Sequence, residues 1–458
     1  MLRSWQAKCA QQAVASYGNA QKHFLCQATP GAGKTVMAAE VAKQLFANKE
    51  IDLVLCFSPS ITVADNMMAT FSKKLDCTFD GGLGAIGGSY TYQSLKYLTS
   101  AFWKTISKYR VFAVFDEIHH CSADGYGRSN SWGEQVVTKI QKHVKFTLAL
   151  TGTPWRSDSV PIALANYTNP EGQIICDFQY SLQQAIDDRV CRAPKIVLVD
   201  NGNLRVSERG EQKSFSSISE LIKGSNTSYQ DIIHNQRALH HLLLLGCEKL
   251  TALRKVNGNA GGLVVAASVK HAIQIQELLV KRLNQSAELV TYQHQSPLES
   301  IERFRHSDCQ WIVSVGMISE GTDIPRLQVC CHVSSVKTEL YFRQVLGRIL
   351  RVSKADNQEA WLYTFAEENL VGFAEGIEQD IPETCQYADL GTSLNVASSA
   401  DQQDILPTGS IIDSNTARQF YLEWESVSVQ GRDTLFNDLR PETLILGDFK
   451  QRVVNAFL

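Results

Sequence analysis

No apolar run in the 458-residue sequence approaches the roughly 18 to 20 residues that a membrane-spanning helix requires. The first residues, Met1 to Gln6, also lack the apolar core of a secretory signal peptide. Twelve cysteines are scattered along the chain without metal-ligand spacing, and the three adjacent residues His119-His120-Cys121 cannot all converge on one zinc ion. These absences predict a cytoplasmic protein with reduced thiols.

The small net charge of −3 conceals an uneven distribution of charged residues. Residues 366–458 hold 16 acidic and 5 basic side chains, whereas residues 1–365 hold 31 acidic and 39 basic ones. A basic body with an acidic C-terminal region is typical of a protein that binds a polyanion and uses its other end for something else. A solvated acidic surface is the alternative for residues 366–458.

A glycine-containing loop follows the first apolar run of the sequence. Ala28 to Thr35 (Ala-Thr-Pro-Gly-Ala-Gly-Lys-Thr) lies between the run His23 to Cys26 and a helical pattern that ends near Phe46. Strand, glycine loop, Gly-Lys-Thr and helix form the layout of a P-loop, whose backbone N–H groups bind phosphate at a helix N-terminus. We expect Lys34 to reach the β- and γ-phosphates of a nucleotide and Thr35 to hold Mg²⁺.

Two carboxylates end a second apolar strand. The run Tyr109 to Phe115 is followed directly by Asp116 and Glu117, downstream of the P-loop. In that position Asp116 is expected beside Mg²⁺, and Glu117 is expected to polarise the attacking water. A third apolar strand ends in the polar segment Thr151 to Arg156, so the first part of the chain predicts a doubly wound parallel sheet.

A second series of strands and helices begins at Gly262, without a Gly-Lys-Thr of its own. Its last helical pattern carries Gln344, Arg348 and Arg351. Two similar α/β layers, only one of which has a nucleotide loop, predict a cleft whose far wall supplies arginines to the phosphates.

Taken in order, these motifs resemble those of the superfamily 2 helicases, specifically the DEAD/DEAH-box (DExH) group. The resemblance covers residues 1–365 and rests above all on the P-loop, on Asp-Glu-Ile-His and on Gln-x-x-Gly-Arg-x-x-Arg. Weaker matches are Arg3 to Gln6, Ser58-Pro59, Thr91 to Leu95, Thr151 to Pro154, Ala266 to Ser268 and Ser319 to Pro325.

The resemblance implies two tandem RecA-like P-loop NTPase domains, with ATP and Mg²⁺ between them, and a small C-terminal appendage. It implies catalytic roles for Lys34, Asp116, Glu117, Arg348 and Arg351, the last as the arginine finger. It also implies that His119, Thr151 and Thr153 couple ATP hydrolysis to closure of the two domains. Contacts to ATP or Mg²⁺ are implied for Arg3, Gln6, Thr29, Gly31, Ala32, Gly33, Lys34, Thr35, Asp116, Gly321, Asp323 and Gln344, and contacts to nucleic acid for Ser58, Thr91, Gln93, Ser268 and Thr322.

Departures from the family pattern indicate which kind of helicase the sequence resembles. Motif II reads Asp-Glu-Ile-His, and Thr-Gly-Thr-Pro-Trp-Arg resembles the motors of restriction and repair translocases. We therefore expect an ATP-dependent DNA helicase or translocase, with a role in repair, restriction or phage defence. An RNA helicase is one alternative, and a nucleotide-switched DNA-binding subunit of a nuclease complex is another.

The predicted division places a first RecA-like domain at 1–190, a linker and helical connection at 191–260, and a second RecA-like domain at 261–365. Residues 366–458 form the acidic region, which is expected either to dock a protein partner or to occupy the nucleic-acid path until it is displaced. Within it, the patterns of 417–424 and 449–457 predict helices.

Overall fold

The computed structural model describes residues 2–121, 132–156, 160–168, 171–208, 211–293, 297–316, 322–353, 357–379, 443–446 and 448–456. They fall into two compact units, of which the larger holds both parallel sheets. The smaller unit contains residues 201–228 and an antiparallel sheet. The predicted helix at 417–424 lies outside the described residues.

The first part of the chain builds one parallel sheet and the helices that cover it. Its strands are β1 (His23–Ala28), β2 (Leu53–Ser58), β3 (Gly87–Thr91), β4 (Val111–Phe115), β5 (Phe146–Thr151), the short antiparallel pair β6 (Asn166–Tyr167) and β7 (Ile174–Ile175), and β8 (Phe178–Tyr180). Its helices are α1 (Ser4–Gly18), α2 (Lys34–Ala47), α3 (Ile61–Leu75), α4 (Ser100–Lys108), α5 (Trp132–His143) and α6 (Leu182–Asp187), with short 3-10 turns at Tyr92–Tyr97 and Ile118–His120.

The strand order of this first sheet is β3-β2-β4-β5-β1-β8, and every pair is parallel. The strands are apolar along their length because helices cover both faces, and all five residues of β4 are buried. Parallel strands end at the same edge, so the residues that follow β1, β4 and β5 meet there. The P-loop, Asp116-Glu117 and Thr151-Gly152-Thr153 therefore converge.

The second sheet has the order β13-β14-β12-β15-β16-β9-β18. The strands of this sheet and of the small antiparallel sheet, in chain order, are β9 (Pro194–Asn201), β10 (Leu204–Glu208), β11 (Glu211–Phe215), β12 (Gly261–Ala266), β13 (Ala287–Val290), β14 (Trp311–Ser314), β15 (Leu327–Val333), β16 (Ala360–Phe365), β17 (Thr443–Leu446) and β18 (Phe449–Asn455). The helices of this part are α7 (Ile218–Gly224), α8 (Tyr229–His234), α9 (Gln236–Arg254), α10 (Val269–Lys281), α11 (Pro297–His306), α12 (Glu339–Ile349) and α13 (Glu368–Glu375).

The structure differs from the expected chain organisation at one boundary and in one helix. The segment Pro194–Asn201, which the predicted division assigns to the linker, is strand β9 and pairs in parallel with β16 inside the second sheet. Its run Ile196 to Val199 is buried, which is why this segment belongs to the core and does not behave as a connection. The predicted helix at 449–457 is instead strand β18, next to β9 in the same sheet.

The smaller unit is an antiparallel sheet in the order β11-β10-β17, with helix α7 beside β11. Leu204, Val206 and Leu446 supply its buried side chains. In the part of the chain that the structure describes, no helix combines the length and apolar character needed to cross a membrane.

Gly87 gives a test of the packing of the first sheet. A Cβ atom at this position would lie 2.1 Å from the carbonyl oxygen of Val54 and 2.5 Å from the ring of Phe79. We expect Gly87→Ala to push β3 away from β2 and to lower the free energy of unfolding by about 1–3 kcal/mol. The control is Gly372→Ala in α13, where a Cβ meets nothing within 4 Å and should stabilise the helix by about 0.5–1 kcal/mol. Thermal melts of both variants should therefore shift in opposite directions, and equal shifts would contradict this account.

Candidate nucleotide site

The loop between β1 and α2 has the backbone shape that phosphate binding requires. Gly31 and Gly33 have φ angles of +83° and +90°, in the left-handed region that side chains other than glycine rarely adopt. Helix α2 begins at Lys34, directly after these two left-handed glycines. The loop therefore brings the N-terminus of a 14-residue helix to the sheet edge, where its dipole favours an anion.

Lys34 and Glu117 form the central ion pair of the site. The Lys34 ammonium lies 3.1 Å from Glu117 Oε1 and donates to the carbonyl oxygen of Ala28 at 3.3 Å. Glu117 itself has a left-handed backbone, with φ +48°, which costs a non-glycine residue of order 1–3 kcal/mol. Its backbone N–H donates to Asp116 Oδ1 at 3.1 Å. The strained turn aims two successive carboxylates at the P-loop.

A buried hydrogen-bond chain joins the end of β4 to the end of β5. His119 Nδ1 is 2.9 Å from Thr151 Oγ1 and 3.5 Å from Glu117 Oε2. Thr151 Oγ1 donates to the carbonyl oxygen of Thr153, so its single proton is used there and His119 supplies the proton between the two side chains. The Gly152 N–H donates to Glu117 Oε2 at 3.2 Å. Hydrogen bonds thus join the segment after β4 and the segment at the end of β5 into one polar cluster.

Gln6 and Arg3 contact the P-loop from helix α1. Gln6 Nε2 donates to the carbonyl oxygen of Gly33 at 2.9 Å, and Gln6 Oε1 accepts the backbone N–H of Arg3 at 2.9 Å. Arg3 Nη1 donates to the carbonyl oxygen of Ala32 at 2.7 Å. Both polar atoms of the buried Gln6 side chain therefore bind protein, and its geometry is that of a P-loop clamp.

The second sheet supplies the opposite wall through helix α12. A Cβ on Gly347 would lie 2.7 Å from Pro30 Cβ, so the helix packs directly on the P-loop. Arg351 follows the helix, pairs with Asp323, and passes 3.2 Å from the position that a Cβ on Gly31 would occupy. Arg348 Nη1 donates to the carbonyl oxygen of Thr322 at 2.9 Å.

Arg343 connects the same helix to the segment after β5. Its guanidinium forms a buried 2.9 Å ion pair with Glu339, donates to the Gly376 carbonyl oxygen at 3.0 Å, and lies 5.5 Å from the ring centre of Trp155. Burial raises the pKa of the Glu339 carboxyl, and the adjacent Arg343 charge opposes that rise. Trp155 belongs to the Thr-Gly-Thr-Pro-Trp-Arg segment, but residue pattern alone does not indicate its contact with Arg343, which lies 188 positions away in the chain.

Several predicted contacts to nucleic acid need correction or stay predictions. Ser58 is fully buried and donates to the Ser60 carbonyl oxygen, and Thr322 is only 4% exposed, so neither side chain is available to a bound strand in this structure. Gln93 is exposed and donates to the Pro59 carbonyl oxygen, whereas Ser268 caps helix α10. For Thr91, Gln93 and Ser268 the contact stays a prediction.

Other predicted residues are placed as follows. Thr29 and Pro30 line the cleft between the P-loop and α12, together with Gly152 and Thr153. Thr35 and Gln344 are half-buried on the first turn of α2 and on α12. Gly321 lies outside the described residues. Among the residues described, no group of three or more His, Cys, Asp or Glu side chains has the geometry of a metal site.

Two family models match the chain in succession. The model of the type III restriction enzyme res subunit matches residues 1–156, and that of the helicase conserved C-terminal domain matches residues 246–353. Together they cover both walls of the cleft. The chain therefore resembles the superfamily 2 helicases, in particular the motors of restriction enzymes, and the matched helicase domains imply an ATP-hydrolysing enzyme.

Individual proteins are similar over most of the chain. The uncharacterized protein ML1624 of Mycobacterium leprae is 27% identical over 391 residues, which cover 82% of this chain and 64% of that protein. The DNA 3′-5′ translocase XPB2 of Sulfurisphaera tokodaii is 24% identical over 384 residues, which cover 76% of this chain and 78% of that protein. The chain thus spans less than two thirds of the mycobacterial relative.

Solved structures share the fold. A fragment described as an HsdR subunit of a type I restriction enzyme from Vibrio vulnificus has a TM-score of 0.55 at 18% identity, over 83% of this chain and 67% of that one. The type ISP restriction-modification enzyme LlaBIII, solved bound to DNA, has a TM-score of 0.54 at 14% identity, over 80% of this chain and 28% of that one. The predicted fold of two tandem RecA-like domains is confirmed.

The Gln6 geometry yields a prediction that separates two roles of this side chain, which are to hold the P-loop by hydrogen bonds or to bind the adenine base of ATP. Gln6→Ala removes two hydrogen bonds, each worth roughly 1 kcal/mol, and should weaken binding of ATP about three- to tenfold. Inorganic tripolyphosphate, which has no base, should lose a similar factor, as calorimetric titration can measure. The matched control is Gln12→Ala on the same helix, whose amide donates to the Asp177 carbonyl oxygen and should leave both affinities unchanged. Loss of ATP binding alone would show that Gln6 reads adenine.

Proposed function

We propose that this chain is an ATP-dependent DNA translocase, which hydrolyses ATP between its two RecA-like domains. The observation that carries the proposal is the cleft itself. Lys34 and the strand-end carboxylates of the first sheet face a helix of the second sheet that delivers Arg351 over the P-loop. Hydrolysis in such a cleft depends on both walls, so closure of the domains and cleavage of ATP are linked.

The first wall suits Mg²⁺-ATP. Thr35 offers a hydroxyl on the first turn of α2, and Asp116 offers a buried carboxylate at the end of β4, which are the hard oxygen ligands that Mg²⁺ prefers. Bound there, Mg²⁺ supplies positive charge to the β- and γ-phosphates. Lys34 would exchange its contact with Glu117 for the phosphates and so leave that carboxylate to orient and polarise the attacking water.

The second wall supplies charge to the transferring phosphoryl group. Arg351 is the proposed arginine finger, and its ion pair with Asp323 holds it beside the P-loop. Arg348, bonded to Thr322, is the assisting cation, and Gln344 lies on the same helix. The hydrogen bonds that join His119, Thr151 and Thr153 would couple a change in the contacts of Glu117 to the segment after β5.

DNA is the proposed track, for reasons of relationship and charge. One relative is named as a DNA translocase, and two neighbours by fold are restriction enzymes, one of them bound to DNA. The basic excess of residues 1–365 suits a phosphate backbone, which carries no sequence information. We also propose that the acidic residues of 366–458 dock a protein partner.

A panel of nucleic acids tests the choice of track. The ATPase rate should rise with duplex or single-stranded DNA, respond less to RNA of equal length, and lose its stimulation as salt rises, because phosphate contacts release counterions. Steady-state hydrolysis at 50 and 200 mM salt measures all of these effects. Stimulation by RNA in preference to DNA would overturn the DNA assignment and leave the motor class intact.

Single variants test the roles in the cleft. Lys34→Ala and Glu117→Gln should abolish stimulated hydrolysis, and Arg351→Ala should slow it about 10³- to 10⁵-fold while ATP still binds. Lys281→Ala is the control, because this lysine is exposed and pairs only with Glu277 on its own helix. A wild-type rate in Glu117→Gln would refute the proposed water-positioning role.

A further inference from the structure

Arg192 is a buried arginine that lies in the connection between the two sheets, just before β9. Its side chain is only 1% exposed, and every one of its hydrogen-bond acceptors is neutral. All three guanidinium nitrogens donate: Nε to Gln358 Oε1 at 3.1 Å, Nη1 to the carbonyl oxygens of Leu327 at 2.6 Å and Ile349 at 3.1 Å, and Nη2 to the Pro325 carbonyl oxygen and to Ser353 Oγ, both at 3.1 Å.

Four of these five acceptors belong to the two segments that carry the proposed arginine finger and its partner, and Gln358 lies just before β16. Pro325 follows Asp323 by two residues, and Ile349 ends helix α12 two residues before Arg351. The backbone of the connection adds to the same junction. The Arg192 N–H donates to the Leu350 carbonyl oxygen at 2.8 Å, and Cys191 forms an antiparallel bridge with Arg351.

The connection also touches the P-loop. Cys191 Sγ lies 3.6 Å from the carbonyl oxygen of Pro30, the residue on which Gly347 packs. Residues 191 and 192 therefore contact the nucleotide loop on one side and the end of α12 on the other. Hydrogen bonds thus join the nucleotide loop, the connection and the end of α12.

Burial without a carboxylate partner is costly, which argues for a specific role of the guanidinium. Burial lowers the pKa of Arg192 to about 10. An apolar side chain of similar volume would avoid that desolvation. The same apolar side chain would leave carbonyl groups at the end of α12 and near the start of β15 without these donors. Arg192 instead makes five hydrogen bonds from one planar group and so holds both segments at once.

We propose that Arg192 is a positioning residue for ATP hydrolysis, which locks the Asp323 and Arg351 segments in the register that places Arg351 over the P-loop. The inference rests on the function proposed above. It adds a residue of the interdomain connection, outside the helicase motifs, to the machinery on which the arginine finger depends.

The test compares two buried arginines, Arg192 in the connection and Arg326 just before β15. Arg192→Met should lower kcat about 10- to 100-fold, the cost typical of a misplaced catalytic group, with the KM for ATP changed less than threefold. Arg192→Lys, which keeps the charge but reaches fewer acceptors, should fall between this variant and the wild type and serves if Arg192→Met does not fold. The control is Arg326→Met: Arg326 is 6% exposed, has a pKa lowered to about 10, and donates only to Asn259, Ser307 and Cys309.

A merely structural arginine would give equal losses of stability and kcat in Arg192→Met and Arg326→Met, and that result would overturn the proposal. A second measurement is the double variant with Arg351→Ala. If Arg192 acts through Arg351, Arg192→Met should lower kcat less than twofold in the Arg351→Ala background, and a full additional loss would contradict it. Absence of ATPase activity in the wild type would refute the proposed function itself, whereas wild-type activity with an unchanged kcat in both Arg192 variants would refute the positioning role alone.

Discussion

The close contact between Gly347 and Pro30 is the constraint on which the cleft depends. A single added carbon at position 347 would come within 2.7 Å of the P-loop proline, so helix α12 approaches this near only because the residue is glycine. That distance decides where the helix ends and therefore where Arg351 emerges. A bulkier residue would move the arginine away from the loop that binds phosphate, although every catalytic residue would still be present.

Strain and charge are concentrated on the other side of the same contact. Glu117 adopts a left-handed backbone and lies within ion-pair distance of Lys34, while its second oxygen accepts the Gly152 N–H. Contacts to two other segments, at Lys34 and at Gly152, hold this backbone conformation in place. A group held by several neighbours in a strained turn is prepared to respond when one of them, here Lys34, moves to a new partner.

The sequence predicted the parts of this site that depend on local pattern. Apolar strands ending in polar residues gave the sheet edge, and glycine spacing gave the P-loop. The prediction was wrong where the same local spacing of apolar residues fits both a helix and a strand. Apolar residues of 449–457 have helical spacing, yet the segment pairs at the edge of the second sheet as β18. Ser58 failed differently, because residue type at a strand end does not say whether its hydroxyl turns inward.

Arg192 shows why the remaining part was inaccessible to sequence reasoning. It stands between helix α6 and strand β9, outside the motifs that the sequence analysis singled out, and its acceptors lie 133 to 166 positions away. Three of them are backbone carbonyl groups, which leave no trace in residue identity. The helicase motifs predict which groups meet the phosphates, whereas the structure shows that the segments of Asp323 and Arg351 are also bonded to the connection between the two sheets. For the proposed arginine finger, the position of Arg351 is therefore set by helix α12 together with that connection, and a motif match in α12 alone does not establish where its guanidinium lies.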